Sequence, residues 1–418
     1  MSRYIPIRAL EDVAGRRRAG VDTEAAAIAA GILARIETGG ESELRSLVDE
    51  FGERPDGMDL VLSPDDLAAG LAALPTEDRA RLERIADRIR SFAEAQLTTI
   101  TELDGVPVPG GLAGHTVAPV DRVGCYAPGG RYPLPSSVLM TAIPADVAGV
   151  AEIWMASPSP APITLAAAAV AGVDGFLVAG GAHAIGALAL GIGGPPPCDV
   201  IVGPGNRYVT AAKQLLFGRV GIDMLAGPSE LVVLADATAE AAVVAADLIA
   251  QAEHDSEALP VLVTTDSGLA ERVQKQLADQ LADLPTAAIA GPALEGGATI
   301  LVSDMAAGIA ACDAIAPEHL QLSVADPDEV RHSLRHYGAV FVGAGAAEVF
   351  GDYGVGPNHV LPTGSTARFS GGLSVLTFLR VRTWLDIEPS AELLDDTVWL
   401  ARQEGLEGHA RAAERRSV

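Results

Sequence analysis

Between residues 150 and 345 short apolar runs alternate with amphipathic segments, and this alternation constrains the fold more than any other feature of the chain. The runs occupy 153–157, 175–179, 200–203, 230–235, 260–264, 299–303 and 339–343. Most are followed by a segment with apolar residues at three- and four-residue spacing, at 163–171, 182–190, 208–217, 240–253 and 268–284. Strand–helix alternation of this kind predicts an α/β protein whose parallel sheets carry helices on both faces.

The flanking regions read differently. Residues 25–36, 42–51, 64–73 and 77–96 have helical spacing, with acidic residues at or just before their first turns. Beyond residue 375 the alternation is lost, and the chain ends in a polar helix over 391–415. At 418 residues the chain is too long for a single core and should form two or more lobes. With 49% hydrophobic residues, 45 glycines and only 4% aromatics, those lobes are packed with Ala, Val, Leu and Ile.

The balance of 29 basic against 55 acidic residues leaves a net charge of −26, which repels nucleic acid and anionic membranes. Cys125, Cys198 and Cys312 are too few and too scattered for a disulfide framework or a cysteine-rich zinc site. The N-terminus has no apolar signal core. The Ala-rich 160–195 region is broken by Gly, Asp and Pro, so no membrane span is expected and a cytoplasmic location is.

Three polar clusters carry candidate chemistry. Gly351-Asp-Tyr-Gly-Val-Gly-Pro-Asn-His-Val-Leu-Pro-Thr363 places Asp352, Tyr353, Asn358 and His359 in a loop with almost no apolar periodicity. Gln251 and His254 are three apart near the end of a predicted helix, on one face, where an imidazole could take a divalent metal or simply cap the helix. Glu318-His319 joins a carboxylate to an imidazole, a pairing suited to proton transfer but also common in ordinary loops. His409 lies on the polar C-terminal helix, where a lone histidine is usually just exposed. Two Gly/Pro-rich loops, 123–130 and 202–207, end predicted strands and lead into helix starts, an arrangement that favours anions. Neither matches the dinucleotide fingerprint, and no Walker sequence is present.

Taken together, the segments from about residue 20 to 415 resemble the histidinol dehydrogenase family. The resemblance rests on Gly124-Cys-Tyr-Ala-Pro-Gly-Gly130, Pro133-Leu-Pro-Ser-Ser137, Gly203-Pro-Gly-Asn206, Gly221-Ile-Asp-Met-Leu-Ala-Gly-Pro-Ser-Glu230, Gln251–His254, Pro317-Glu-His-Leu320, Gly356-Pro-Asn-His-Val-Leu-Pro-Thr363 and Glu404 with His409. It implies a zinc-dependent enzyme that oxidises L-histidinol through L-histidinal to L-histidine with two NAD. Gln251, His254, Asp352 and His409 would be zinc ligands, and Glu318 and His319 the catalytic pair. Ser229, Glu404 and His319, with those four ligands, would contact substrate; Tyr126 and Asn206 would contact the dinucleotide. His183 stands where the family usually has Gln, and is carried over as a dinucleotide contact.

The resemblance further implies two Rossmann-like lobes with a helical N-terminal part. It groups 20–115 with 232–365 as the zinc and catalytic lobe, assigns 116–231 to the dinucleotide, and makes 366–418 a C-terminal dimerisation arm. In the implied homodimer, Glu404 and His409 act in the partner's site. Asn358 and His359 are then expected to scaffold the loop that presents Asp352. The alternative substrate is another small diol or amino alcohol such as sulfopropanediol, whose zinc-dependent dehydrogenases share the Gly371-Gly-Leu-Ser-Val375 and Gly124…Tyr132 variants. A cysteine nucleophile is the alternative route for aldehyde oxidation, but none of the three cysteines has a matched histidine.

Overall fold

The computed structural model describes residues 4–14, 22–129 and 132–416. Gly130 and Arg131 of the glycine-rich loop lie outside the described residues.

Helix α1 (Leu10–Ala14) precedes α2 (Thr23–Glu50), strand β1 (Val61–Leu62), α3 (Pro64–Ala72) and α4 (Thr76–Leu97). Asp22 caps α2, accepting from the Glu24 and Ala25 amides, and Ser63 with Asp66 forms a capping box on α3. Gly40, at φ +60, breaks α2 into the two helices the spacing predicted. Strands β2 (Leu103–Val108) and β3 (Gly111–Pro119) come next. Then alternation sets in: β4 (Arg122–Tyr126), α5 (Pro135–Val147), β5 (Glu152–Ala156), α6 (Pro162–Ala171), β6 (Gly175–Leu177), α7 (Gly181–Leu190), β7 (Val200–Val202), α8 (Arg207–Leu216) and β8 (Gly221–Ile222). A second series follows: β9 (Glu230–Ala235), α9 (Ala241–Ala252), β10 (Leu259–Thr264), α10 (Ser267–Leu281), α11 (Ala287–Gly296), β11 (Ala298–Leu301), α12 (Met305–Ile315), β12 (His319–Ser323), α13 (Pro327–Ser333), β13 (Ala339–Val342) and α14 (Glu348–Asp352). The chain ends with β14 (Leu379–Ile387), α15 (Ala391–Gln403) and α16 (Glu407–Glu414).

The first sheet runs β1-β6-β5-β4-β7-β8, parallel except for β1; the second runs β11-β10-β9-β12-β13, parallel throughout. Both have helices on two faces, as the alternation required. Around the first sheet, α5 and α6 cover one face and α7 and α8 the other. The N-terminal helices belong to these same two layers: Leu82 and Ile89 of α4 join the α5 side, and Leu33, Ile36 and Leu47 of α2 join the α7 side. The expected grouping attached residues 20–115 to the catalytic lobe; the apolar faces of α2 and α4 instead pack against the first sheet's helices, α2 on α7 and α8 and α4 on α5 and α6. Residues 4–14 do go to the second lobe, where Ile5 and Val13 are buried and Ile7 pairs with Thr299.

The C-terminal region also differs from the sequence expectation. Residues 391–415 form two helices rather than one, since Gly405 takes φ +75 and the Leu406 amide closes the turn on Ala401 O at 2.8 Å. The tail and the 103–119 region contribute a third sheet, β14-β3-β2, antiparallel and outside the two parallel ones. Val381 and Leu385 on β14, 54% and 64% exposed, leave part of that ribbon's apolar surface uncovered. Among the described residues no helix is long and apolar enough to cross a membrane.

The arrangement of the sheets places the site. Tyr126, Gly180-Gly181 and Gly203 follow the carboxyl ends of β4, β6 and β7, whereas Ser229-Glu230 and Glu318-His319 stand at the amino ends of β9 and β12. The segment joining the sheets touches both groups. Asp223 Oδ2 accepts from the Gly203 amide at 2.7 Å, and Ser229 Oγ donates to Glu318 Oε2 at 2.6 Å.

Candidate active site

Glu318 and His319 enter after a tight turn in which Ala316 adopts φ +51. Both are buried. The Glu318 carboxylate accepts from Ser229 Oγ at 2.6 Å and from the Glu230 amide at 2.9 Å. Burial nonetheless pushes its pKa up to about 7, outweighing the pull of those two donors. A carboxyl group poised there can exchange a proton near neutral pH.

His319 Nδ1 lies 3.1 Å from the Glu230 carbonyl oxygen. A carbonyl only accepts, so Nδ1 carries the hydrogen and Nε2 presents a lone pair. Nε2 is buried without a protein partner, and burial holds the imidazole pKa below its usual value. The ring is kept in place by Phe341, stacked at 6.0 Å between centroids. The result is a neutral, oriented base.

Beside this pair lies a group of potential metal ligands. One atom each of His254, Glu348 and Asp352 falls within 4.8 Å of the others, with His254 Nε2 3.6 Å from Asp352 Oδ2 and 3.7 Å from Glu348 Oε1. Imidazole and carboxylate oxygens are the donors zinc prefers. Gln251, fully buried on the last turn of α9, faces Glu348. With its nitrogen toward Glu348 it donates at 3.0 and 3.2 Å, and its oxygen lies 3.1 Å from Ser229 Oγ, whose one hydrogen already goes to Glu318. With its oxygen turned the other way, amide and carboxylate oxygens confront one another, an arrangement a divalent cation relieves. Burial and the nearby Asp352 and Glu318 carboxylates raise the Glu348 pKa well above the usual range. The donor set fits a metal.

The structure thus brings together Ser229, Gln251, His254, Glu318, His319 and Asp352 from the sequence reading, and adds Glu348. His254 does not share a helical face with Gln251: α9 ends at Ala252, and His254 sits in the following turn. Asp352 ends the short helix α14 instead of lying in irregular loop, so Glu348 and Asp352 are one helical turn apart on one side. That four-residue spacing of carboxylates was the signal for Glu348. Asn358 donates to Met140 O at 2.6 Å and accepts from the Val360 amide at 2.9 Å, while His359 Nδ1 meets Asp352 O at 3.1 Å. Both brace the loop. Glu404 and His409 are exposed on the C-terminal helices, apart from the ligand group of this chain.

The dinucleotide candidates cluster at the first sheet. Tyr126 is buried, its hydroxyl accepts from the Gly181 amide at 3.2 Å, and burial raises its pKa to about 12. Asn206 caps α8, its Oδ1 accepting from the Tyr208 and Val209 amides at 3.0 and 3.1 Å. Gly203, at φ +118, is held from both sides: its amide donates to Asp223 Oδ2 at 2.7 Å, and its carbonyl accepts from Lys213 Nζ at 3.0 Å. Lys213 and Asp223 form a buried ion pair beneath it. A Cβ at Gly203 would fall 2.0 Å from Tyr126 O, so only glycine fits this close crossing. No side chain caps α5; its first residue, Pro135, has no amide hydrogen, and the Ser137 amide donates to Leu134 O at 3.2 Å. His183, in the first turn of α7, is buried against Glu53.

All three cysteines are buried, and burial pushes their thiol pKa values upward, that of Cys198 to about 12. None is poised as a thiolate nucleophile.

The family model described as histidinol dehydrogenase matches residues 16–417. Histidinol dehydrogenase of Pseudomonas aeruginosa is 45% identical over 401 residues, covering 92% of this chain and 89% of the relative. That of Thermus thermophilus is 44% identical over 406 residues, covering 96% and 97%. The crystal structure of histidinol dehydrogenase from Elizabethkingia anophelis superposes with a TM-score of 0.90 at 30% identity, covering 100% of this chain and 98% of that one. The site residues and the match along nearly the whole chain agree: this protein belongs to the histidinol dehydrogenase family.

Proposed function

We propose that the chain oxidises L-histidinol to L-histidine in two NAD-linked steps, with zinc held by Gln251, His254, Asp352 and a histidine, His409, from a second copy. The observation that carries this reading is the neutral His319, its Nε2 lone pair unpartnered, beside a carboxyl group poised near pH 7 and a metal-capable cluster. When bound, zinc supplies a template for the substrate's imidazole and amine, and NAD accepts the hydride.

The protein's own groups move the protons. His319 Nε2 takes the hydroxyl proton as the alcohol carbon loses hydride, giving the aldehyde. Glu318 then takes a proton from the water that adds to the aldehyde carbon. His319, once it has released its first proton to solvent, removes the hydrate's hydroxyl proton as the second hydride leaves, giving the carboxylate. Ser229 holds the Glu318 carboxylate toward this water. Tyr126, Asn206 and His183 would line the dinucleotide's path at the carboxyl ends of the first sheet.

A homodimer follows from the same reading. The apolar positions of β14, with Phe369 at 83% and Trp399 at 61% exposed, suit burial against a second copy and would carry Glu404 and His409 into its site. Mixing inactive His409→Ala with inactive His254→Ala should restore activity if the site is shared; no recovery under subunit exchange refutes the sharing.

NADH formation by zinc-loaded protein with L-histidinol, against sulfopropanediol, tests the substrate. Turnover of sulfopropanediol alone overturns the reading. His319→Ala should lower turnover by at least ~100-fold while zinc content is kept; equal loss of both would make His319 a ligand.

A further inference from the structure

We propose that Glu53 is a positioning residue of the dinucleotide site and acts through His183. The inference rests on the reading that the first lobe binds NAD. Glu53 lies just beyond α2, far in sequence from the loops of the first sheet. Its amide donates to Val48 O at 3.0 Å, and its carbonyl accepts from the Ser159 amide at 2.6 Å, which ties it to the loop after β5. Its carboxylate reaches the start of α7, accepting from the Gly180 amide at 2.8 Å and from His183 Nε2 at 2.7 Å.

The pairing sets the chemistry of the imidazole. Because the carboxylate accepts, Nε2 carries the hydrogen and Nδ1 is left as an acceptor. His183 is only 2% exposed, and its Nδ1 is buried with no protein partner. Phe51 stacks on the ring at 5.4 Å and 14°, so the ring is fixed on one face and at one edge. The Cε1–Nδ1 edge of the ring lies beside Gly181: a Cβ there would sit 3.5 Å from Cε1 and 3.6 Å from Nδ1. Tyr126, whose hydroxyl accepts from the Gly181 amide, keeps its own proton to donate.

The first turn of α7 therefore offers a lone pair beside a hydroxyl donor. A helix start would otherwise attract a phosphate, but here the Glu53 carboxylate already takes the Gly180 amide and opposes a second anion. The complementary ligand group is neutral and both donates and accepts, as a ribose hydroxyl or a carboxamide does. Without Glu53 the imidazole loses its fixed tautomer and orientation, while the rest of the catalytic site is untouched.

The test is titration with NADH, followed by its fluorescence, on wild type, Glu53→Ala, Glu53→Gln, His183→Gln and the Glu53→Ala/His183→Gln double variant, with steady-state constants for each. Glu53→Ala should weaken NADH about tenfold and raise KM for NAD in step, leaving kcat and KM for histidinol within about twofold. Glu53→Gln, whose amide oxygen still accepts from both donors, should recover binding to within about threefold. In the His183→Gln background, Glu53→Ala should add less than about twofold, because the residue it positions is gone. Full loss in that background, a parallel rise in KM for histidinol, or unchanged NADH affinity overturns the proposal alone. A wild type that binds no NADH overturns the cofactor reading beneath it as well.

Discussion

Replacing Glu318 by glutamine should make the stability of the metal-free protein, relative to wild type, rise between acid and alkaline pH, while abolishing conversion of the aldehyde. Burial raises the folded-state pKa of Glu318 from 4.5 to about 7. The folded protein thus binds this proton more tightly than the unfolded chain, and stability falls as pH rises from the unfolded to the folded value, then levels off. A shift of that size corresponds to roughly 3 kcal/mol in total, of which about 2 kcal/mol is lost between pH 5.5 and pH 8. Glutamine carries no charge, so its variant escapes that loss. Its NH2 brings a pH-independent cost of about 1–3 kcal/mol if left without a partner, which cancels when two pH values are compared. Urea unfolding should be followed by far-UV circular dichroism after dialysis against chelator, because Trp154, Trp384 and Trp399 all lie outside the second lobe. The stability difference between variant and wild type should move by about 2 kcal/mol in favour of glutamine from pH 5.5 to pH 8. A difference that stays constant across that range would refute the raised pKa, and with it the argument that Glu318 is poised to exchange a proton.

The other expectations follow from neighbouring groups. Glu348→Ala should weaken zinc binding ~10- to 100-fold in competition with a chelating dye, since the buried carboxylate faces both His254 and Gln251; unchanged affinity would remove Glu348 from the metal site. Lys213→Met strands the fully buried Asp223 carboxylate and should cost about 3–5 kcal/mol in urea unfolding monitored through Trp154, unless Asp223 is also replaced. Gly203→Ala meets both a left-handed backbone and the Tyr126 carbonyl, and should cut NADH affinity by more than ~10-fold with zinc content intact. Normal NADH binding by that variant would place the dinucleotide elsewhere.

Both parallel sheets were legible because β5, β7, β9, β10 and β11 are short apolar runs, which have few other ways to be buried. The Glu318-His319 pair stood out because an apolar strand starts directly after it. What was missed had weaker local signals. β14 does alternate, with Leu379, Val381, Leu385 and Ile387 opposite Arg380, Arg382 and Asp386, but Trp384 and Thr383 blur the two faces, and its partner β3 contains two glycines and a proline. Its pairing with β3 spans at least 260 residues of sequence, the least being between Leu379 and Pro119, so local spacing could not reveal it. Glu348 was missed because the polar loop was read from Gly351 onward; only the four-residue step from Glu348 to Asp352 betrays the helix. The placement of α2 and α4 depended on which lobe's helices offered a matching apolar face, a property of packing and not of their own periodicity.

The interleaving of the two lobes has a consequence for how the chain is made. The second lobe draws on residues 4–14 and then on a continuous stretch from β9 to β13, so all of its core has been synthesised once β13 is complete. The first lobe waits longer. Its core includes Val360, Leu373, Val375 and Phe378, which are the last of its residues to leave the ribosome, although β4 and its helices were made some 200 residues earlier. Vectorial synthesis therefore favours closure of the second lobe before the first, the reverse of their order along the chain. During that interval α4 and α5 wait with part of their apolar surface uncovered, which makes the late segment 360–378 the natural point at which a nascent chain is either completed or captured by a chaperone.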